Sequence, residues 1–490
     1  MTDAFHPRPL AAAVLATLLA ACAVGPDYVR PTLDAPARFH HADPALTRAG
    51  ETERAFWERM GDPVLAQLIE DALRDNRELH IALARLERAR ALLGEAGRDY
   101  LPTVRAGAHA GEQRASAFEA AGVSRADRDI DSRGAEASVS WELDLFGRVR
   151  RNVEAARGER EASEADLAAL QVAVAGEVAR NYYLLRGLQT RLAVAQDNAR
   201  NQERSLELVR ARADAGGGTE LDSARARAQL ELTLSRVPAL TAEVQATQHR
   251  LAVLTGREPG ALGERLDAPA PWPPLPELLA VGTPPDLLAR RPDVAAAERR
   301  LAAATARVGV ATADLYPRFS LDGLIGSLAG NSSELFERDS ERRRVLLGID
   351  WSFLDRGRVR DRIDAAGADA RAAFAAWQQA SLLALEEAET ALVRYAQSER
   401  EREHLEEGAR ASARAAELAR LRFEGGVAAF LDVLDAERAR LEAEDLAAAA
   451  RMRQAQALVG LHAALAGGWP ERMPQPAPAP EPSSGVAATR

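Results

Sequence analysis

The chain predicts a mainly α-helical fold with a smaller membrane-spanning β portion, written as one unit in tandem duplicate. Three observations lead there: landmarks that recur at a near-constant offset, two long proline-free stretches, and four short segments with strand-like alternation.

The duplication is read first. Trp141 and the run Gly147-Arg148-Val149-Arg150 recur as Trp351 and Gly357-Arg358-Val359-Arg360, a shift of 210. Gly216 and Leu221-Asp222 fall on Gly426 and Leu431-Asp432 at the same shift, and Leu254 and Gly256 on Leu465 and Gly467 at 211. Upstream, Glu78, Ala82, Arg85 and Pro102 match Asp293, Ala297, Arg300 and Pro317 at 215. Repeat 1 therefore spans 62–256 and repeat 2 spans 287–469, joined by a proline-rich connector at 257–286.

Each repeat opens with a helix. Asp62-Pro63 supplies a cap and a first-turn proline for a helix running to about Gly97, and the partner helix runs from about Asp293 to Asp314. A proline ends each, and a β-hairpin follows, at about 103–143 and 318–354. Val345, Leu347, Ile349, Trp351 and Phe353 alternate with smaller or polar residues; Phe319, Leu321 and Ile325 alternate with Ser320 and Asp322. Segments 103–113 and 132–143 alternate less cleanly, and the polar stretches 114–131 and 329–343 suit hairpin loops.

No proline occurs between Pro102 and Pro238 or between Pro317 and Pro470, which leaves room for very long helices. Leu167, Leu170, Val174, Val178, Leu185, Leu188 and Leu192 form a coiled-coil-like stripe. Helical hairpins at about 145–256 and 356–467 follow, the first helix of each about 70 residues and ~100 Å long at 1.5 Å per residue. They reverse at Gly216-Gly217-Gly218 and Gly425-Gly426, where glycine allows a positive φ. Residues near those turns are candidates for a gate: Asp222, Arg422, Phe430, Leu431, Asp432 and Asp435. Each has an ordinary alternative, helix capping for the aspartates and core packing for Phe430 and Leu431.

Strand counting then constrains assembly. Four strands of about 9–11 residues cannot close, and an open edge in lipid leaves unsatisfied backbone groups. Two chains give eight strands with a filled bore, and three give twelve, the first count with room for a duct. A homotrimer follows if the strands cross a membrane; otherwise they form a soluble sheet capping a helical stalk. Trp141, Phe319 and Trp351 are candidates for an aromatic belt at the membrane interface, or for a core.

Composition excludes other classes. All 63 basic residues are arginine, the net charge of −10 is spread in mixed-sign helical runs, and nothing favours nucleic acid. Acidic clusters such as Glu386-Glu387-Glu389 and Glu399-Glu401-Glu403 read as solvated faces, and so does the segment carrying His40-His41. No metal site, cofactor loop or nucleophile motif is present, so no enzyme is expected. The Pro/Ala tract 470–490 reads as a disordered tail.

Two resemblances complete the reading. The apolar stretch from Leu10, closed by Leu19-Ala20-Ala21-Cys22, resembles a bacterial lipoprotein signal. That implies removal of 1–21, lipidation of Cys22 and a lipid-anchored extended segment at 22–61; Ala23 in place of aspartate implies sorting to the outer membrane. The run Leu287-Leu288-Ala289-Arg290-Arg291-Pro292-Asp293-Val294, continuing to Tyr316-Pro317-Arg318-Phe319, resembles the TolC-like outer-membrane efflux ducts in their lipoprotein branch. Val24-Gly25-Pro26-Asp27-Tyr28 and Gly61-Asp62-Pro63 resemble them too. The resemblance implies a homotrimer with a twelve-stranded β-barrel continuous with a periplasmic α-barrel, the connector lying at its equator. It implies a passive exit duct for an inner-membrane pump, proton-driven or ATP-driven, and a periplasmic adaptor that docks at the tip. The competing reading is a lipid-anchored coiled-coil spacer without a pore.

Overall fold

The computed structural model describes residues 23–48, 50, 57, 60–268, 272 and 279–466. The signal segment 1–21, Cys22 and the tail 470–490 lie outside the described residues, as do 269–271 and 273–278 of the proline-rich connector.

Strands are β1 (Thr47–Arg48), β2 (Thr103–Arg114), β3 (Asp129–Leu143), β4 (Leu279–Ala280), β5 (Arg318–Ala329) and β6 (Glu341–Asp350). Helices are α1 (Pro63–Asp75), α2 (Arg77–Arg98), α3 (Arg148–Asp214), α4 (Glu220–Leu234), α5 (Arg236–Leu254), α6 (Gly263–Leu266), α7 (Pro284–Arg290), α8 (Pro292–Ala313), α9 (Arg356–Glu424) and α10 (Phe430–Ala464). Among the described residues no helix is long and apolar enough to cross a membrane.

The chain divides into two compact units, and each draws on both sequence repeats. One holds Leu86–Ser163 and Ala296–Gln378 with the N-terminal segment up to Thr32. Its centre is an antiparallel sheet in the order β2-β3-β5-β6. The expected hairpins β2–β3 and β5–β6 form, and β3 pairs with β5 to join the two repeats. β6 ends at Asp350, so Trp351 and Phe353 lie beyond the strand that their alternation had extended to 353. β3 and β5 are longer than expected, and the loops between strands shrink to 115–128 and 330–340.

The other unit holds the described residues of 33–85, 164–295 and 379–466. Asp62 caps α1 as expected, accepting from the Val64 and Leu65 amides at 2.9 and 3.1 Å. Its second oxygen accepts from the Tyr182 hydroxyl. Burial and then this bond push the Tyr182 pKa up to about 12.

Three expected features are corrected. The single opening helix of repeat 1 is two, because Asn76 is extended between α1 and α2. Asn76 Oδ1 caps α2 through the Glu78 and Leu79 amides, while its Nδ2 donates to the Leu254 carbonyl at 2.9 Å. The same break recurs 215 residues on, where Arg291 is extended between α7 and α8. The returning helix of repeat 1 is also split, at Ser235, because Pro238 has no amide to donate and its ring crowds the Leu234 carbonyl. In repeat 2 the matching position is Ala448, and α10 runs unbroken for 35 residues. Finally, the connector is not wholly extended: α6, β4 and the start of α7 lie within 257–286, and β4 pairs in parallel with β1.

The acidic clusters read as solvated faces are in part structural ties. Glu387 pairs with Arg291 at 2.7 Å and Glu401 with Arg453 at 2.7 Å. Glu389 accepts from the His40 and His41 amides at 2.8 and 3.1 Å and from the His41 ring at 2.9 Å, so the histidine segment is tied down. Partial burial opposes the charge, yet these donors hold Glu389 below the usual carboxylate range. A lowered carboxylate pKa contributes stability that is complete above the ordinary glutamate range and is lost as pH falls through the lowered value. Glu389→Gln is expected to cost this attachment about 1 kcal/mol. Amide exchange at His40 and His41 should rise at neutral pH in the variant and rise in the parent only on strong acidification.

Candidate functional site

The sheet has two chemically different faces. Alternation along each strand and the pairing register put Val104, Val139, Trp141, Leu321, Ile325, Val345, Leu347 and Ile349 on one face. Ala106, Ala108, Ala135 and Ala137 fill the same face on β2 and β3. Val345, Leu347, Ile349, Val104 and Ile325 are each more than 60% exposed, so this unit does not itself cover them. The opposite face carries Arg105, His109, Glu136, Ser138, Ser140, Asp322, Arg342 and Arg344. Among the described residues β2 and β6 each pair on one side only, and both are exposed along nearly their whole length.

The candidate belt aromatics gather at the helix-proximal end of the sheet. Phe319 stands in the pairing row of Leu143 and Ile349, one row from Trp141. The Trp141 indole donates to the Tyr100 carbonyl at 3.0 Å, and the Trp351 indole to the Leu315 carbonyl at 3.1 Å. These two ties repeat the duplication and fasten each hairpin to the end of the helix before it. Phe146 stacks on Tyr316 nearby, with centroids 4.6 Å apart.

At this end the chain's first described residues are locked in place, which sequence reasoning had not anticipated. The Val24 amide donates to the Phe146 carbonyl at 3.1 Å. Arg151, almost fully buried, donates to the Val24 carbonyl at 3.2 Å and to Asp27 at 2.6 Å. Gly25 has φ +90°, and a Cβ on it would lie 2.5 Å from the Gly309 Cα. Tyr28 donates to Glu298, and the Arg299 guanidinium lies 5.6 Å from the Tyr28 ring centre. One sequence signal marks this clamp: at the shift of 210, Arg151 corresponds to Asp361, a departure from the repeat beside the shared Gly-Arg-Val-Arg.

The glycine turns lie where expected, in the other unit. Gly216 and Gly426 have φ +78° and +75°, whereas Gly217, Gly218 and Gly425 do not need positive φ. In each turn the glycine amide bonds three residues back and the next amide bonds five back, to the Arg212 or Arg422 carbonyl at 2.9 Å. This closes the helix end with two otherwise unpaired carbonyls satisfied. Phe430 belongs to a core cluster with Leu206, Val209, Ala226, Phe423, Val433 and Leu434. Arg212 lies 4.6 Å from the Phe423 ring centre.

The aspartates nearest the turns bond to the residues just before α4 and α10, and Thr219 rather than Asp222 is the side-chain cap of α4. Asp222 accepts from the Thr219 hydroxyl at 2.6 Å, and Asp432 accepts from the Ala429 amide at 3.1 Å. Arg422, Leu431 and Asp435 remain exposed, alongside Leu221, Leu421 and Val427. Below the turns α3 and α10 are laced by Arg191–Asp445 at 2.7 Å and Asn198–Glu444 at 2.9 Å. Among the described residues no group of three or more His, Cys, Asp or Glu could hold a metal ion.

Against known proteins, the chain matches the family described as outer membrane efflux protein over residues 68–257 and 283–467. It is 33% identical over 469 residues to the pyoverdine export outer membrane protein OpmQ of Pseudomonas putida, covering 94% of this chain and 98% of the relative. It is 32% identical over 464 residues to the outer membrane protein OprJ of Pseudomonas aeruginosa, covering 94% and 96%. Among solved structures, the outer-membrane channel OprN superposes with a TM-score of 0.85 at 41% identity, over 91% of this chain and all of that one. The open state of the Neisseria gonorrhoeae MtrE outer membrane channel superposes at 0.82 with 28% identity, over 91% and 98%.

Proposed function

This chain belongs to the outer membrane efflux protein family, its place is the outer membrane and its role is that of an efflux exit channel, and from that premise we propose a passive homotrimeric duct. Three copies close their four-stranded sheets into a twelve-stranded barrel, with the apolar faces toward lipid and the polar faces toward the lumen. The observation that carries this reading is one sheet with an uncovered apolar face and two unpaired edges. The apolar face would be costly in water and the open edges costly in lipid, and a closed barrel inserted in a bilayer removes both costs.

The turns at Gly216–Gly218 and Gly425-Gly426, with the exposed Leu221, Leu421, Val427 and Leu431, are the docking surface for a periplasmic adaptor. Arg422 and Asp435 are the charged gate candidates that have no capping role. Energy comes from an inner-membrane pump, so the duct itself needs no catalytic centre. Trp141, Phe319 and Trp351 mark the periplasmic boundary of the outer-membrane bilayer.

Cys22 carries a lipid anchor, a reading supported by Ala23 and Val24, which are held beside Gly147 and Phe146 at the end of the sheet. Cys22→Ala is expected to abolish labelling by radioactive palmitate, and persistent labelling would refute the anchor. The duct itself is tested by heat-modifiable trimers in outer-membrane fractions together with single-channel currents in planar bilayers. A monomeric protein, or a trimer that passes no current even with an opened tip, would instead favour the coiled-coil spacer.

A further inference from the structure

We propose that the lumen face of the barrel binds anionic solutes along arginine-lined tracks at the three seams between protomers, an inference that rests on the trimeric duct described above. The charges on the polar face are segregated by strand. Arg105 on β2 shares a pairing row with Ser138, Leu324 and Arg344, and the next row runs Gly107, Glu136, Gly326, Arg342. Apart from Arg318 at the helix-proximal end of β5, which pairs with Asp314, the arginines of this face sit on the two edge strands, while the carboxylates Glu136, Glu142 and Asp322 sit on the inner strands.

On this face β2 carries no carboxylate between Thr103 and Gln113, and β6 carries only Asp350, at its helix-proximal end. Asp322 is already engaged: it accepts from the Ser320 hydroxyl at 2.7 Å and is bonded to Ser140. Closing the barrel pairs β6 of one copy with β2 of the next. Each seam then runs between β6 of one chain, which carries Arg342 and Arg344 on this face, and β2 of its neighbour, which carries Arg105 and His109.

Like charges placed side by side repel unless an anion bridges them, and the planar guanidinium fork matches carboxylate, phosphate and sulfate oxygens. Rings of arginine in a pore wall favour anions over cations. This basic lining is set against a chain of net charge −10, so it is local and not a reflection of bulk composition. The solutes it suits are exported molecules bearing carboxylate or phosphate groups.

The purified trimer tests this in two ways, against Arg105→Gln/Arg344→Gln and against Glu136→Gln as an inner-strand control. In planar bilayers under a KCl gradient, the double variant should shift the reversal potential toward potassium, with a chloride-to-potassium permeability ratio lower by about two-fold. Independently of current, tripolyphosphate should raise the heat-dissociation temperature of the parent trimer and of Glu136→Gln, but not of the double variant. If the double variant fails to assemble, Arg105→Gln alone is measured in the same way and should show a smaller shift in the same direction. An unchanged reversal potential with an undiminished tripolyphosphate response overturns the seam site and leaves the duct intact. A monomeric parent protein overturns the trimer itself, and the seam site with it.

Discussion

Leu347→Arg is expected to remove heat-stable trimers from the outer membrane, whereas Leu346→Arg, one residue away, is expected to leave them in place. Leu347 lies near the middle of the apolar face, opposite Leu321, and is 65% exposed in the isolated chain. Arginine on the lipid face of a barrel costs from about 1 kcal/mol near the interface to about 2–4 kcal/mol at the midplane, incurred in each of three chains. Summed over a trimer this is several kcal/mol, a large share of the net stability of a typical domain. Leu346 points to the other face, in the row of Asp322, where an added cation meets water and a carboxylate. Trimer content after mild extraction, read on unheated gels, measures both variants. Tolerance of Leu347→Arg with loss of Leu346→Arg would mean that the faces are assigned the wrong way round.

That contrast shows how much alternation alone makes legible. In β6 the apolar residues Val345, Leu347 and Ile349 announce a strand and its lipid-facing side, because period two is a local property. Length was legible in the same way: the proline-free spans anticipate α3 and α9, found at 67 and 69 residues. What failed depended on partners far away in sequence. Asn76 can sit inside a helix; its amide bond to the Leu254 carbonyl, 178 residues on, goes with an extended backbone there. Arg151 is one of many arginines until Val24 and Asp27 are laid against it. The strand positions of Arg105 and Arg344 were readable, yet their shared row needs the register across three pairings. At the turns, Gly216 and Gly426 could be picked from chain reversal alone, but separating the aspartates bonded at the helix starts from the other charges required the hydrogen bonds of Asp222 and Asp432.

Arg291→Ala is expected to be the most damaging single truncation among the side chains of the described helix breaks. The two arginines before Pro292 lie within the stretch from Leu287 that carries the family resemblance, and their physical role is to close the end of α10. Arg290 donates to the Leu465 carbonyl at 2.7 Å and Arg291 to the Ala464 carbonyl at 3.0 Å. Arg291 also binds Asp293 through two nitrogens, at 3.0 and 2.7 Å, and Glu387 at 2.7 Å. Repeat 1 solves the same problem with a neutral side chain, Asn76 on the Leu254 carbonyl, so the carbonyl cap is shared and the added charge pairs belong to repeat 2 alone. Hydrogen bonds to charged groups contribute about 1.5–3 kcal/mol each, and Asp293 and Glu387 are partly solvated, which places the loss near 3 kcal/mol. Arg291→Lys keeps a charge but not the fork that spans three acceptors, so it should recover only part of that stability. Asn76→Ala, which removes a neutral bond and a cap, should cost about 1–2 kcal/mol. Denaturation midpoints of the detergent-solubilised protein should therefore fall in the order Asn76→Ala above Arg291→Ala, with Arg291→Lys between Arg291→Ala and the parent. Equal losses for Asn76→Ala and Arg291→Ala would show that the carbonyl cap alone matters and that the ion pairs to Asp293 and Glu387 contribute nothing.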